Sequence, residues 1–212
     1  MIDLNEISEM LQKGKAKLVK DMVQQALDEG MDPAEILEKG LLSGMSVIGD
    51  KFQKNEVFVP EVLIAARAMT KGMEVLKEKL VEEGVQAKGV AVIGTVRGDL
   101  HDIGKNLVRM MMEGKGITVV DLGVDVSPEQ FVNAAIENKA NIICCSSLLT
   151  TTMGEMKNVV EEATKRGIRD QVKIMVGGAP VTDSFCEAIG ADCYTSDAAS
   201  ASKAAYDFCT KG

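Results

Sequence analysis

The chain has 212 residues, 46% of them hydrophobic, enough for one large domain or two small ones with real cores. Its net charge of −8, with no block of Lys or Arg, argues against a partner gripped by its phosphate backbone. Cys144, Cys145, Cys186, Cys193 and Cys209 show no CxxC spacing, so they read as reduced thiols of a cytoplasmic protein and not as a disulfide or metal framework.

In chain order, the opening MIDLNEISEM is acidic and amphipathic and lacks the basic and apolar regions of a signal peptide. No apolar run approaches the length of a bilayer span, so no membrane partner is expected. Helical periodicity then dominates to about residue 82. Val19, Met22, Val23 and Ala26 line one face of a helix over Leu18–Leu27. Asp32-Pro33-Ala34-Glu35 combines an N-cap, a proline at the first helical position and a glutamate at the third. Ile36, Leu37, Leu41, Leu42, Met45 and Ile48 follow it. Val62, Ala66, Met69, Met73, Leu76 and Leu80 alternate steps of four and three. Four helices with short connections predict an antiparallel bundle over residues 1–82, and the many methionines read as core filling.

The polar stretch VEEGVQAKG supplies a linker, placed at 83–87. From residue 88 to 212 the period changes. GVAVIGTV, ITVVDLG, NIICCSS, KIMVGGA and DCYTS are short Val- and Ile-rich runs separated by helix-length amphipathic segments. Five strands alternating with five helices predict a parallel, doubly wound, flavodoxin-like sheet with helices on both faces. The fold class is therefore α + α/β. Ligands of such sheets sit at the carboxyl ends of the strands.

His101, the only histidine, falls in the loop after the first of these strands, within GTVRGDLHDIGKNLV. Taken alone, that loop is a capped turn: Asp99 or Asp102 could cap a helix beginning near Lys105, and Gly104 could serve a tight turn. It carries neither the GxGxxG of a dinucleotide site nor a P-loop. The other loops add Ser146 and Leu148 in SSLLTTT and Gly177-Gly178 in VGGAP. Between them the spacing is Asp99-x-His101-x-x-Gly104, then 41 residues, then Ser146-x-Leu148, then 28 residues, then Gly177-Gly178.

That pattern resembles the cobalamin-binding domain of corrinoid methyltransferases and mutases over residues 88–212. Asp50–Met69, DKFQKNEVFVPEVLIAARAM, is similar to the helical cap that precedes this domain in methionine synthase and in stand-alone corrinoid methyl carriers. The length of the chain suits the stand-alone carriers that serve methanol, methylamine, betaine-type or aryl-ether methyltransferases. The resemblance implies a cobalamin bound base-off/His-on, with His101 as the lower axial ligand of cobalt. It implies Asp99 as partner of the second ring nitrogen and Thr152 as the hydroxyl behind it. Asp102, Ile103, Gly104, Ser146, Leu148, Thr150, Gly177 and Gly178 are then cofactor contacts around the lower face and the nucleotide tail. Phe52, Val59 and Val62 hold the family's cap positions over the upper face, although as apolar bundle residues they also fit ordinary core. Cobalt is expected to cycle between Co(I) and methyl-Co(III), and a hydrogen-bonded imidazole suits a ligand that must leave and return.

The implied partners are a substrate-specific methyltransferase, a methyl-acceptor methyltransferase of the coenzyme M or tetrahydropterin type, and a reductive activator, with no nucleic acid. The chain is expected to supply the cofactor without a substrate site, and not to be catalytic alone. Two other classes share the loop motif. A small subunit of an adenosylcobalamin mutase would not need the helical extension. A cobalamin-sensing regulator would need a basic DNA-reading helix and usually a tryptophan, and this chain has no Trp.

Overall fold

The computed structural model describes residues 2–211 and separates a helical unit, residues 2–87 with Gly114–Gly116, from a sheet unit comprising Lys88–Glu113 and residues 117–211. Among these residues no helix is long and apolar enough to cross a membrane.

The helical unit holds α1 (Leu4–Gln12), α2 (Ala16–Asp28), a third helical run and α5 (Val59–Glu82). The third run starts at α3 (Pro33–Glu35), widens into a π-helical stretch over Ile36–Leu42 and continues as α4 (Ser43–Gln53). Its start is the one the sequence predicts: Asp32 accepts a hydrogen bond from the Ala34 N–H, and Pro33 opens the helix. The π stretch is a departure from the expected regular helix. One extra residue per turn shifts the phase of the face, so Gly40, Leu41 and Leu42 are all buried. Two glycines let α1 come close. A Cβ on Gly40 would lie 3.3 Å from Ile7, and one on Gly44 would lie 3.0 Å from the Ser8 carbonyl oxygen. On α2, Val19, Met22, Val23 and Ala26 are buried as the periodicity predicts, whereas Leu18 is exposed.

In the sheet unit, β1 (Gly89–Thr95), β2 (Ile117–Asp121), β3 (Ile142–Ser146), β4 (Lys173–Gly177) and β5 (Cys193–Tyr194) pair in parallel in the order β2-β1-β3-β4-β5. Between them run α6 (Ile103–Glu113), α7 (Pro128–Glu137), α8 (Gly154–Lys165), α9 (Asp183–Ile189) and α10 (Ala198–Lys211). Alternation along each strand feeds two cores. Val92, Ile143, Cys145, Ile174 and Val176 pack with Phe131, Val132, Met156, Val159 and Ile189 of α7, α8 and α9. Ala91, Ile93, Ile142, Cys144 and Met175 pack on the other face with Met112 of α6 and with Ala201 and Ala205 of α10.

Chain order reverses between β1 and β3, which are neighbours in register from Ala91↔Ile142 to Thr95↔Ser146. Loops leaving the carboxyl ends of these two strands diverge toward helices on opposite faces. That is where a sheet of this order opens a ligand crevice.

Candidate functional site

The loop from β1 to α6 turns at Gly98, which has φ +80°. It is pinned from the loop after β2: Asp125 Oδ1 accepts the Gly98 N–H at 2.7 Å, and the Asp125 N–H donates to the Asp99 carbonyl at 3.0 Å. The Thr95 hydroxyl donates to the His101 carbonyl at 2.7 Å. Asp99 and His101 are thus held on both sides by neighbouring strands.

Asp99 is fully buried, and its two oxygens divide the surroundings between them. Oδ1 faces His101, accepting its backbone N–H at 3.1 Å and meeting Nδ1 at 2.8 Å. Oδ2 faces the loop after β3, accepting the Leu148 N–H at 2.7 Å, the Leu149 N–H at 3.2 Å and the Thr152 hydroxyl at 3.0 Å. Burial pushes the carboxyl up. The hydrogen bonds from His101, Leu148 and Leu149 outweigh that and hold it well below the usual carboxylate range.

An ionised carboxylate can only accept, so Nδ1 of the imidazole carries the hydrogen in the 2.8 Å contact. Nε2 takes no hydrogen bond among the described residues, on a side chain 52% exposed. A neutral imidazole fixed through Nδ1 by a carboxylate is the usual arrangement of a histidine that ligates metal through Nε2.

The surroundings have room for a large group. Gly104 sits in the first turn of α6, where glycine is costly, and a Cβ there would touch nothing within 4 Å. The same holds at Gly177, the last residue of β4. Neither glycine is required by the protein's own packing, so both leave unfilled space beside the crevice. Leu100 and Ile103 flank His101 with 71% and 78% of their surface exposed, and Leu148 and Leu149 are also exposed. An apolar rim of this kind around a polar donor fits the underside of a macrocycle. Among the described residues no cluster of three His, Cys, Asp or Glu is placed to hold a metal ion. A lone imidazole therefore suits a metal whose other ligands arrive with its own ring.

Residues 89–204 match the family model of a B12 binding domain, and residues 3–77 match a second B12 binding domain model. The chain belongs to the B12-binding family of corrinoid proteins. Trimethylamine corrinoid protein 1 of Methanosarcina acetivorans is 46% identical over 180 residues, which cover 84% of this chain and 83% of that protein. The dimethylamine corrinoid protein of Methanosarcina barkeri is 43% identical over 199 residues, 93% of each chain. Among solved structures, the methanol:cobalamin methyltransferase complex MtaBC of Methanosarcina barkeri aligns with a TM-score of 0.84 at 32% identity, covering 93% of this chain and 75% of that one.

Within this corrinoid protein the motif residues occupy distinct places. Asp99, His101 and Thr152 form one hydrogen-bonded line. Asp99 is not a helix cap. Helix α6 begins at Ile103, two residues before the expected start, and Asp99 folds back onto the His101 N–H. Asp102 is exposed, and its Oδ2 accepts from the Asn106 side chain at 3.0 Å. Gly104 serves no tight turn, because it is helical. Leu148 contributes its backbone N–H to Asp99 and leaves its side chain exposed. Ser146 ends β3 half-buried, with its carbonyl oxygen accepting the Val96 N–H at 3.0 Å, and Thr150 is exposed. Gly178 has φ +131°, and a Cβ on it would stand 1.8 Å from the Ser147 carbonyl oxygen, so only glycine fits. In the helical unit Phe52 and Val59 are half-buried. Val62 has no exposed surface, and packing within the fold accounts for it.

Several contributors escape a reading of the motif. Ser147 is buried with its hydroxyl 2.8 Å from that of Thr152. Asp125 holds the loop from outside it. Lys105 is buried on α6, with Nζ 2.6 Å from Asp121 Oδ1 and 2.9 Å from Asn106 Oδ1, and ties that helix to the end of β2. The only signals available for these were a second serine beside Ser146, an aspartate in the loop after the second strand, and a lysine on an otherwise apolar helix face.

Proposed function

We propose that this corrinoid protein carries a methyl group between a substrate-specific methyltransferase and a methyl-acceptor methyltransferase of the coenzyme M or tetrahydropterin type, with a reductive activator as third partner. The corrinoid, when bound, supplies a cobalt centre that accepts and releases the methyl group. The observation that carries the reading is the Asp99–His101 pair, which leaves Nε2 free on an imidazole oriented by a buried carboxylate. The names of the relatives support the choice of system, since they are trimethylamine and dimethylamine corrinoid proteins, and a fold neighbour is a methanol:cobalamin methyltransferase complex.

In this reading His101 would ligate the cobalt through Nε2, the base-off/His-on state. Asp99 keeps the hydrogen on Nδ1, and Thr152 donates to the far carboxylate oxygen. A hydrogen-bonded neutral imidazole is a ligand that can leave and return, which a thiolate on a soft metal does less readily. Ser146, Thr150 and Gly177 would hold the nucleotide tail of the corrinoid, with Gly178 keeping the Ser147 backbone in place. The exposed Leu100, Ile103, Leu148 and Leu149 would give the ring an apolar seat and exclude water there.

The test is reconstitution with hydroxocobalamin followed by methylation. The expected product keeps one corrin through gel filtration and shows the visible spectrum of base-off, histidine-ligated cobalamin. Reduced and given a methylamine donor, it stays unmethylated until a cognate methyltransferase is added. Failure to retain corrin ends the reading, and rapid demethylation of the donor by the lone protein makes it a methyltransferase in its own right.

A further inference from the structure

Behind Asp99 stand two hydroxyls where the motif calls for one. Thr152 Oγ1 is 3.0 Å from Asp99 Oδ2 and 3.0 Å from the Leu149 carbonyl oxygen. Ser147 Oγ is 2.8 Å from Thr152 Oγ1, 3.1 Å from the same carbonyl and 3.4 Å from Asp99 Oδ2. Both side chains are buried, so no bulk water competes. Two hydroxyls carry two hydrogens. The 2.8 Å contact requires one of them between the oxygens, since otherwise two lone pairs would face each other. The other hydrogen goes to the charged acceptor in preference to the neutral carbonyl. Thr152 is the closer to Asp99, and 3.4 Å is long for a hydroxyl bond. The order is therefore Ser147 Oγ–H to Thr152, then Thr152 Oγ1–H to Asp99 Oδ2.

We propose that Ser147 is a positioning residue of the ligand relay, acting on His101 through Thr152 and Asp99. Its hydrogen bond polarises the Thr152 hydroxyl and strengthens that donation to Oδ2. Without it, the Leu149 carbonyl competes for the only hydrogen of Thr152. A carboxylate less well served at Oδ2 pulls harder on the imidazole N–H at Oδ1, and Nε2 becomes the stronger donor to a metal. Ser147 thus moderates how firmly His101 binds. Its place is set by the two glycines: its N–H donates to the Gly177 carbonyl at 3.1 Å, and its own carbonyl lies against the bare Cα of Gly178. The residues that open the tail groove and the residues that tune the ligand are in this way mechanically joined.

The purpose assigned to the relay rests on the proposed function, but its hydrogen bonds do not, so they can be tested without cobalamin. Because His101 is the only histidine, apo-protein labelled with ring-[15N]histidine gives a single pair of imidazole resonances, one for Nδ1 and one for Nε2. Ser147→Ala is expected to move the Nδ1 resonance downfield, and Ser147→Cys, near-isosteric and a weaker donor, to move it less. In a Thr152→Val background, Ser147→Ala is expected to add no further shift. The loaded Co(II) protein is expected to keep histidine nitrogen splitting in its EPR spectrum through more of a competing-ligand titration in Ser147→Ala than in wild type. Circular dichroism melting reports separately whether each variant folds. A downfield shift that persists in the Thr152→Val background would show that Ser147 acts without Thr152 and would overturn the relay. No shift in Ser147→Ala overturns the inference outright. The expected shifts in a protein that never retains corrin would leave the relay standing and remove the methyl-carrier reading.

Discussion

Gly177 and Gly178 are adjacent, yet alanine at each should have opposite effects. A Cβ on Gly178 would lie 1.8 Å from the Ser147 carbonyl oxygen at a φ of +131°. The loops must open by about 1.5 Å to reach an ordinary carbon–oxygen contact of about 3.3 Å. Forcing a side chain into that backbone region costs about 1–3 kcal/mol. Losing the Ser147 N–H bond to Gly177 adds about 1 kcal/mol. Gly178→Ala apo-protein should therefore melt roughly 5–10 °C below wild type. A Cβ on Gly177 meets nothing within 4 Å, and that residue ends a strand at an ordinary backbone angle. Gly177→Ala should leave the apo-protein as stable as wild type, or more so by about 0.4–1 kcal/mol. If a nucleotide tail fills that space, the added methyl overpacks it by about 1–3 kcal/mol. Hydroxocobalamin affinity then falls by roughly 5- to 150-fold. The assays are calorimetric melting of both apo-variants and a spectrophotometric cobalamin titration. A Gly177→Ala variant that binds like wild type would refute the placement of the tail. A Gly178→Ala variant that melts like wild type would refute the steric argument.

Three further outcomes follow from the same contacts. The Asp99 carboxyl is depressed in the folded state, because its hydrogen bonds outweigh burial, so its contribution is complete above the ordinary carboxylate range and is lost as pH falls through the depressed value. Asp99→Asn should flatten the acid side of apo-protein stability, read as urea midpoints from neutral pH downward, and an unchanged slope would show that Asp99 has no such role. His101→Ala should still take up corrin through the loops but lose the histidine-ligated spectrum; a spectrum identical to wild type would mean that another donor holds the metal. Lys105→Met removes a buried ammonium from Asp121, which is 31% exposed and keeps Arg109 Nε at 3.5 Å, and should cost about 1–3 kcal/mol in urea unfolding. A cost under about 1 kcal/mol would show that the pair is an ordinary surface contact.

Periodicity was enough to read the architecture. The switch from steps of three and four to short Val- and Ile-rich runs reflects two different buried surfaces, and the five strands fall inside the five runs identified. The π stretch at Ile36–Leu42 was not legible, because it depends on how close α1 approaches Gly40 and Gly44, a tertiary fact with no local signature. The Asp99–His101 pair was legible only through the family resemblance, since the loop taken alone offered Asp99 as a helix cap, and nothing local marks a carboxylate that folds back onto its own turn. Ser147 was not. Along a strand Ser146 and Ser147 alternate, and only the register β1–β3–β4 decides which of two neighbouring serines turns toward Asp99. The roles of Leu148 and Leu149 as backbone donors were hidden for a deeper reason: an N–H is carried by every residue here, so the side chain says nothing about where it points. Gly104 misled in the opposite direction. Glycine ordinarily signals a turn, whereas here it sits in a helix with open space beside it.

The opened space and the crowded carboxylate belong to one design. Asp99 collects donors from its own loop and from the loop after β3, and Ser147 of that loop is in turn fixed by Gly177 and Gly178 after β4. No local segment can build this network; it exists only once three strands are in register, so the imidazole is oriented by the whole sheet and not by its own turn. Orientation of that kind costs nothing further when a ligand arrives, because the tautomer is already set and Nε2 already free. The same scaffold stops short of making a metal site by itself, with no three-donor cluster among the described residues. On the proposed reading, one preset donor and an apolar rim are what the protein would supply to a metal that comes with four ligands of its own.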